Sequence, residues 1–143
     1  MKRILTVPAQ VDRLSEVFAF VDEASADAGM EMKSQNNVRL AVEEIFVNIA
    51  SYAYPSGEGD VTVSVSVEAE RFTVAFADGG TPYDPLAKPD PDTTLPAAER
   101  EIGGLGIFMV KKIMDNVEYR YENLKNILTI EIIFDPKGEE RNV

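Results

Sequence analysis

The feature that most restricts the fold of this chain is a pair of alternating segments between Val61 and Asp78. In each segment apolar residues occupy every second position, and in the first they are separated by threonine and serine. A period of two residues is typical of strands that bury one face and leave the other polar. The two segments therefore predict a β-hairpin in a sheet covered on one side. The apolar positions are Val61, Val63, Val65, Val67, Phe72, Val74 and Phe76.

The same alternation places Asp78 on the apolar side of the second strand, where the strand ends. A carboxylate that points toward a core costs free energy unless it is paired. Two explanations remain open. The carboxylate bonds the backbone amides of Gly79 and Gly80, as in an Asx-turn. Alternatively, it accepts a hydrogen bond from a flat ligand, such as an adenine amino group.

Two helices are predicted before the hairpin. Apolar residues recur at spacings of three and four over 11–28, which indicates an amphipathic helix ended by Gly29. Ser34 is the expected N-cap of a second helix that reaches Tyr54. From Ala41 onward this helix is apolar almost all round, so we expect it to lie in the core.

Polar residues interrupt the second helix on one side only. Glu44, Asn48 and Ser51 fall within a stripe about 60° wide, and Glu43 points roughly 100° away. One interpretation is that Glu44 and Asn48 bond the backbone or each other. The other is that Asn48 supplies an oxygen to Mg²⁺, and that Glu44 positions or deprotonates an attacking hydroxyl.

The segment 81–102 holds five of the eight prolines and shows no periodicity. Such a stretch inside a small domain is usually a functional lid or a disordered segment. It is followed by Gly103, Gly104, Leu105 and Gly106, which open a helix to about Asp115. Glycines at a helix N-terminus let the backbone approach a phosphate. The alternative is a lid hinge with a closely packed turn.

Strands are also predicted at 2–7, 117–121 and 127–134, the first as an edge strand. A charged tail, which we expect to be frayed, begins at about 135. We therefore predict one domain over 1–143. Its fold class is an α/β (α+β) two-layer sandwich, with a mixed, mainly antiparallel sheet covered on one face by three helices.

The charge of the chain restricts the classes of molecule that it can bind. Its 25 acidic and 14 basic residues give a net charge of −11, which disfavours nucleic acid and anionic membrane surfaces. An anionic ligand would need backbone dipoles, a few placed cations or a metal. The sequence has no cysteine and no apolar run long enough to span a membrane, so we expect a cytoplasmic protein. It has no histidine, which excludes an internal phosphohistidine.

Taken in order, these features resemble the GHKL (Bergerat-fold) ATPases over 40–134. Within that superfamily the chain looks most like the bacterial anti-sigma-factor serine kinases. The segment 43–48, Glu-Glu-Ile-Phe-Val-Asn, is similar to the family's N-box. The segment 78–85, Asp-Gly-Gly-Thr-Pro-Tyr-Asp-Pro, is similar to its first glycine box, and 103–110, Gly-Gly-Leu-Gly-Ile-Phe-Met-Val, to its second.

The resemblance implies ATP and Mg²⁺ as cofactors. It implies that Glu44 is the catalytic base and that Asn48 is the metal ligand. It further implies that Asp78 recognises adenine, with Gly80 beside it in the same site. The second glycine box would bind the phosphates through Gly103, Gly104, Leu105 and Gly106. Arg100 or Lys111 would add positive charge.

Two positions depart from the family pattern. Pro82 stands where a second glycine of the first box is common. Lys125 and Asn126 stand where the last strand often begins with Gly-Thr. Asn126 shares its parity with the apolar positions Leu128 and Ile130, so we expect it to take the place of the threonine in the adenine site.

The function implied by the resemblance is phosphorylation of a small STAS-type anti-anti-sigma protein, combined with binding of a sigma factor, commonly as a homodimer. Two other classes are possible. One is a nucleotide-gated binding protein of the same fold without kinase activity. The other is the ATP-binding module of a histidine kinase, which would need a preceding helix pair with a phosphoacceptor.

Overall fold

A computed structural model describes residues 1–87 and 104–136. The elements follow the order expected from the sequence. They are β1 (Lys2–Pro8), a 3₁₀ turn (Val11–Arg13), α1 (Leu14–Asp27), α2 (Met32–Tyr52), β2 (Asp60–Glu68), β3 (Arg71–Asp78), α3 (Gly104–Ile113), β4 (Asn116–Glu122) and β5 (Lys125–Ile133).

The five strands form one sheet in the order β1-β2-β3-β5-β4. Each neighbouring pair is antiparallel, so the predicted antiparallel character is confirmed, and the described sheet is antiparallel throughout rather than mixed. The strand β1 is an edge strand, as predicted. The last strand inserts between β3 and β4. In this register Asp78 on β3 lies directly across from Asn126 on β5.

The core lies between one face of the sheet and the helices. Side chains at alternate positions of β2, β3 and β5 are buried in one hydrophobic cluster with side chains of α1 and α2, and α2 contacts both α1 and α3. The alternation read from the sequence is therefore the alternation of burial in the structure, and the two-layer sandwich is confirmed. The largest fully buried side chains include Phe46, Phe72, Phe76, Met30 and Ile130.

The start of α2 was predicted wrongly. The helix begins at Met32, with Glu31 as its N-cap, and Ser34 lies inside its first turn. The side-chain amide of Gln35 donates to the carbonyl of Met30 at 2.7 Å. Since Met30 is fully buried, it fixes the chain at this point, and the helix begins directly after it without a serine cap.

The first two residues of the predicted charged tail are not frayed. Pro136 forms an isolated β-bridge with Met30, and the amide of Asp135 donates to Glu31 Oε2 at 3.3 Å. These two residues are therefore held against the start of α2, whereas 137–143 lie outside the described residues. Of the predicted lid, 81–87 is described as turns and irregular chain, and 88–102 lies outside.

Candidate functional site

A cavity of about 530 Å³ opens between α2, the loop after β3 and the adjoining ends of β3 and β5. Its walls are mostly apolar, with Ile45, Ile49, Ile107 and Leu128 among them, and aromatic side chains contribute as well. Three of the predicted site residues line it: Asn48, Asp78 and Asn126. The sequence placed these three on different elements, and the fold brings them to one cavity.

Asp78 is buried, with 4% of its surface exposed. Its Oδ1 accepts hydrogen bonds from the amide of Gly80 and from Asn126 Nδ2, both at 3.0 Å. The amide of Gly79 donates instead to the hydroxyl of Tyr54 at 2.8 Å. The Asx-turn interpretation therefore holds for Gly80 but not for Gly79. Because Asp78 also lines the cavity, this turn does not remove it from the reach of a ligand.

Gly80 packs against the end of α2. A Cβ added to Gly80 would overlap the carbonyl oxygen of Ala53 and lie 2.6 Å from its carbonyl carbon. The next residue, Thr81, donates its amide to that same oxygen at 2.8 Å. The glycine is required here because the turn after β3 lies directly on the helix. This contact fixes the Asp78 end of the cavity relative to α2.

Asn126 is a hydrogen-bond junction at the same end of the cavity. Its Oδ1 accepts from the hydroxyl of Tyr119 at 2.5 Å and from the amide of Tyr83 at 3.1 Å. Its Nδ2 donates to Asp78 Oδ1 and to the carbonyl of Thr81, each at 3.0 Å. The predicted burial of Asn126 is correct, since 7% of it is exposed. Its contact with adenine stays a prediction.

Two tyrosines that were not predicted as site residues form hydrogen bonds at this end of the cavity. Tyr119 on β4 reaches Asn126, and Tyr54, just past α2, joins the amide of Gly79 to the carbonyl of Asp60. Burial raises the pKa of both phenols above the ordinary value near 10.0. Both therefore remain neutral and keep a proton to donate. The signal in the sequence was Tyr119 at a core-facing position of a strand, where its polar tip needs a partner.

Glu44 and Asn48 are both half-buried on α2, and Glu43 is exposed, as the helical wheel predicted. The carboxylate of Glu44 lies against the first turn of α3, because a Cβ added to Gly106 would overlap Glu44 Oε2. The fold therefore brings the N-box helix and the second glycine segment together. Gly104 is the first residue of α3 and Leu105 follows it.

The outcome differs among the other residues predicted at the phosphate end. Gly103 and Arg100 lie outside the described residues, and Lys111 lies in the last turn of α3 rather than its first. Within 1–87 and 104–136, no three histidine, cysteine, aspartate or glutamate side chains form a group that could hold a metal ion. None of the described helices is long and apolar enough to cross a membrane.

A family model described as the histidine kinase-like ATPase domain matches residues 7–132. The chain belongs to this family. The resemblance inferred from the N-box and the two glycine boxes is thereby confirmed, and the order of these motifs along the chain was sufficient to find it.

Among curated relatives, the chain is similar to the serine-protein kinase RsbW of Listeria monocytogenes. The two are 25% identical over 144 residues, which is 97% of this chain and 92% of the relative. This similarity agrees with the prediction of a protein serine kinase.

Solved structures support the fold. The chain superposes on a structure of the RsbU and RsbW domains of a Mycobacterium tuberculosis protein with a TM-score of 0.66 and 14% identity. That match covers 96% of this chain but only 34% of the solved one. The catalytic domain of the histidine kinase ThkA gives a TM-score of 0.54 and 12% identity, covering 93% and 99%.

Proposed function

We propose that this chain is an Mg-ATP-dependent serine protein kinase that also acts as an anti-sigma factor. The observation that carries the proposal is the arrangement along α2. Asp78 lies near the C-terminal end of α2, and Asn48 on α2 lines the cavity. Glu44 lies on α2 one turn before Asn48, against Gly106. This sequence of residues follows the order of the parts of a nucleotide, from its base to its terminal phosphate.

The Asp78 end suits an adenine base. The cavity is lined mostly by apolar and aromatic side chains, and binding sites of this kind use a few placed polar groups to fix the orientation of a ligand. Asp78 supplies a carboxylate acceptor at the end of the buried strand. A purine with an exocyclic amino group would satisfy it.

The residues present also fit a magnesium ion. Mg²⁺ prefers oxygen ligands and is commonly held by one or two protein groups together with substrate phosphates, so it needs no cluster of acidic side chains. Asn48 offers an amide oxygen in the cavity wall. A bound ion would neutralise charge on the phosphates, which matters in a chain with a net charge of −11.

Glu44 is the residue that we propose as the base. Phosphoryl transfer depends mainly on positioning and on neutralising charge, with a residue that takes the proton of the attacking hydroxyl. Here the serine oxygen of the substrate would attack the γ-phosphorus while its proton passes to the Glu44 carboxylate. The bond from that phosphorus to the β,γ-bridging oxygen would break, and ADP would leave. The start of α3, which Glu44 contacts through Gly106, offers backbone N–H groups to the phosphates.

The related proteins support a proposal about the partners. The relatives are named serine-protein kinases, and one solved neighbour contains an RsbW domain. We propose that the substrate is a STAS-type anti-anti-sigma protein and that the chain binds a sigma factor, as a homodimer in the cytoplasm. The strongly acidic chain does not suit direct contact with nucleic acid or with anionic membranes.

The test is transfer of labelled phosphate from ATP to the cognate STAS protein. Glu44→Gln keeps the shape of the side chain but removes the base, so transfer should fall by about 10²- to 10⁴-fold while ATP affinity changes little. Glu43→Gln is the matched control, since its side chain is exposed on another face of α2, and it should transfer at the full rate. A wild-type chain that binds ATP but transfers nothing would instead be the nucleotide-gated binding protein.

A further inference from the structure

Every hydrogen-bonding position of the Asn126 side-chain amide has a partner within the protein. Its two N–H groups bond Asp78 Oδ1 and the carbonyl of Thr81, and its oxygen accepts from the hydroxyl of Tyr119 and the amide of Tyr83. An asparagine side chain offers two donors and an oxygen with two lone pairs. All four positions are therefore occupied, although the residue lines the cavity.

These partners also fix which way the amide points. A backbone N–H can only donate and a backbone carbonyl can only accept, so Tyr83 must face the oxygen of Asn126 and Thr81 its nitrogen. In that orientation the second N–H group points at Asp78 Oδ1. The hydroxyl of Tyr119 adds a second donor to the oxygen and strengthens the preference.

We infer that Asn126 is a positioning residue for base selection, which acts through Asp78 and does not itself make the contact with adenine that the resemblance predicts. The inference rests on the proposed function, because it assumes that a nucleotide occupies the cavity. Both bonds to Asp78, from Gly80 and from Asn126, end on Oδ1. They hold the carboxylate in one rotamer, with Oδ2 as the atom that accepts from the ligand.

This arrangement selects by the substituent at carbon 6 of a purine. An amino group at carbon 6 donates a hydrogen bond to Oδ2, whereas a hydrogen atom bonded directly to carbon 6 does not. The 6-oxo group of guanine is an acceptor, so it would face the acceptor Oδ2 without a proton between them. A hydrogen bond to a charged group is usually worth about 10- to 100-fold in affinity. We expect ATP to bind by roughly that factor more tightly than purine riboside triphosphate, which differs from ATP only in lacking the 6-amino group.

The experiment measures the affinities of both nucleotides by calorimetry for the wild type and three variants. Asn126→Leu removes every bond of the amide at nearly the same size, and the ratio of the two affinities should fall to about threefold or less. Tyr119→Phe removes one hydroxyl and keeps the ring, so it should fold and lower the ratio partly. Tyr121→Phe, an exposed tyrosine two residues along the same strand, is the control and should keep the wild-type ratio.

A merely structural role for Asn126 would weaken both nucleotides equally and leave their ratio unchanged. If the wild type prefers ATP and both Asn126→Leu and Tyr119→Phe keep that preference, the inference is wrong and the proposed function stands. If the wild type binds both nucleotides equally, Asp78 does not read the amino group and the inference also fails. If the wild type binds neither, the proposed function itself is wrong.

Discussion

Adjacent glycines in the turn after β3 should differ sharply in their tolerance of alanine. A Cβ on Gly80 would meet the carbonyl oxygen of Ala53, its carbonyl carbon at 2.6 Å and its methyl group at 2.8 Å. A Cβ on Gly79 would meet only Lys125 Nζ and the hydroxyl of Tyr54, each at 3.8 Å, which is ordinary van der Waals contact. The matched variants are Gly80→Ala and Gly79→Ala.

The magnitude follows from what must move. Because the obstruction at Gly80 is backbone, the turn has to lift from α2 and lose the 2.8 Å bond from the Thr81 amide to Ala53. Overpacking costs about 1–3 kcal/mol and a lost hydrogen bond about 0.5–1.5 kcal/mol, so we expect a loss of about 2–4 kcal/mol. In a chain of this size that lowers Tm by about 10 °C. Gly79→Ala should stay within about 0.5 kcal/mol of the wild type.

Thermal unfolding followed by circular dichroism tests the difference, with ATP affinity measured in parallel. Lifting the turn also displaces the Gly80 amide from Asp78 Oδ1, so Gly80→Ala should bind ATP about tenfold more weakly. Variants that melted within about 2 °C of each other and bound ATP equally well would contradict this packing requirement at Gly80.

Two further perturbations test the metal-binding role of Asn48 and the effect of the buried tyrosines on stability. Asn48→Ala should weaken nucleotide binding in Mg²⁺ but not in EDTA; calorimetry showing the same loss in both conditions would contradict a metal role. Burial raises the pKa of Tyr54 and Tyr119 in the folded chain. Above about pH 10 the unfolded state therefore loses its phenolic protons before the folded state does, and the free energy of unfolding falls as pH rises. Urea unfolding between pH 8 and 11 should show a smaller fall for Tyr119→Phe, and an equal fall would argue against this cause.

The sequence was most informative where backbone geometry fixes the answer. A strand alternates its side chains strictly, so the burial of Asp78 and Asn126 could be predicted from their parity with apolar neighbours. A helix turns by a fixed angle per residue, which is why Glu43 could be separated from Glu44. These predictions needed no knowledge of which strands pair.

The sequence was least informative where distant segments meet. That Asn126 lies across from Asp78 depends on β5 inserting between β3 and β4, which no local pattern encodes. The hydroxyl of Tyr119 could not be assigned a partner for the same reason. Gly106 was selected as a phosphate contact, but its close approach to Glu44 is a packing requirement that only the fold reveals.

The central claim is that one cavity binds Mg-ATP with its base at Asp78 and its phosphates near Glu44. A crystal structure of the chain with Mg²⁺ and a non-hydrolysable ATP analogue tests it most directly. We expect the adenine amino group within about 3 Å of Asp78 Oδ2, the metal on the amide oxygen of Asn48, and the γ-phosphate between Glu44 and the first turn of α3. An analogue bound outside this cavity, or bound in it with its phosphates at Asp78, would contradict the account.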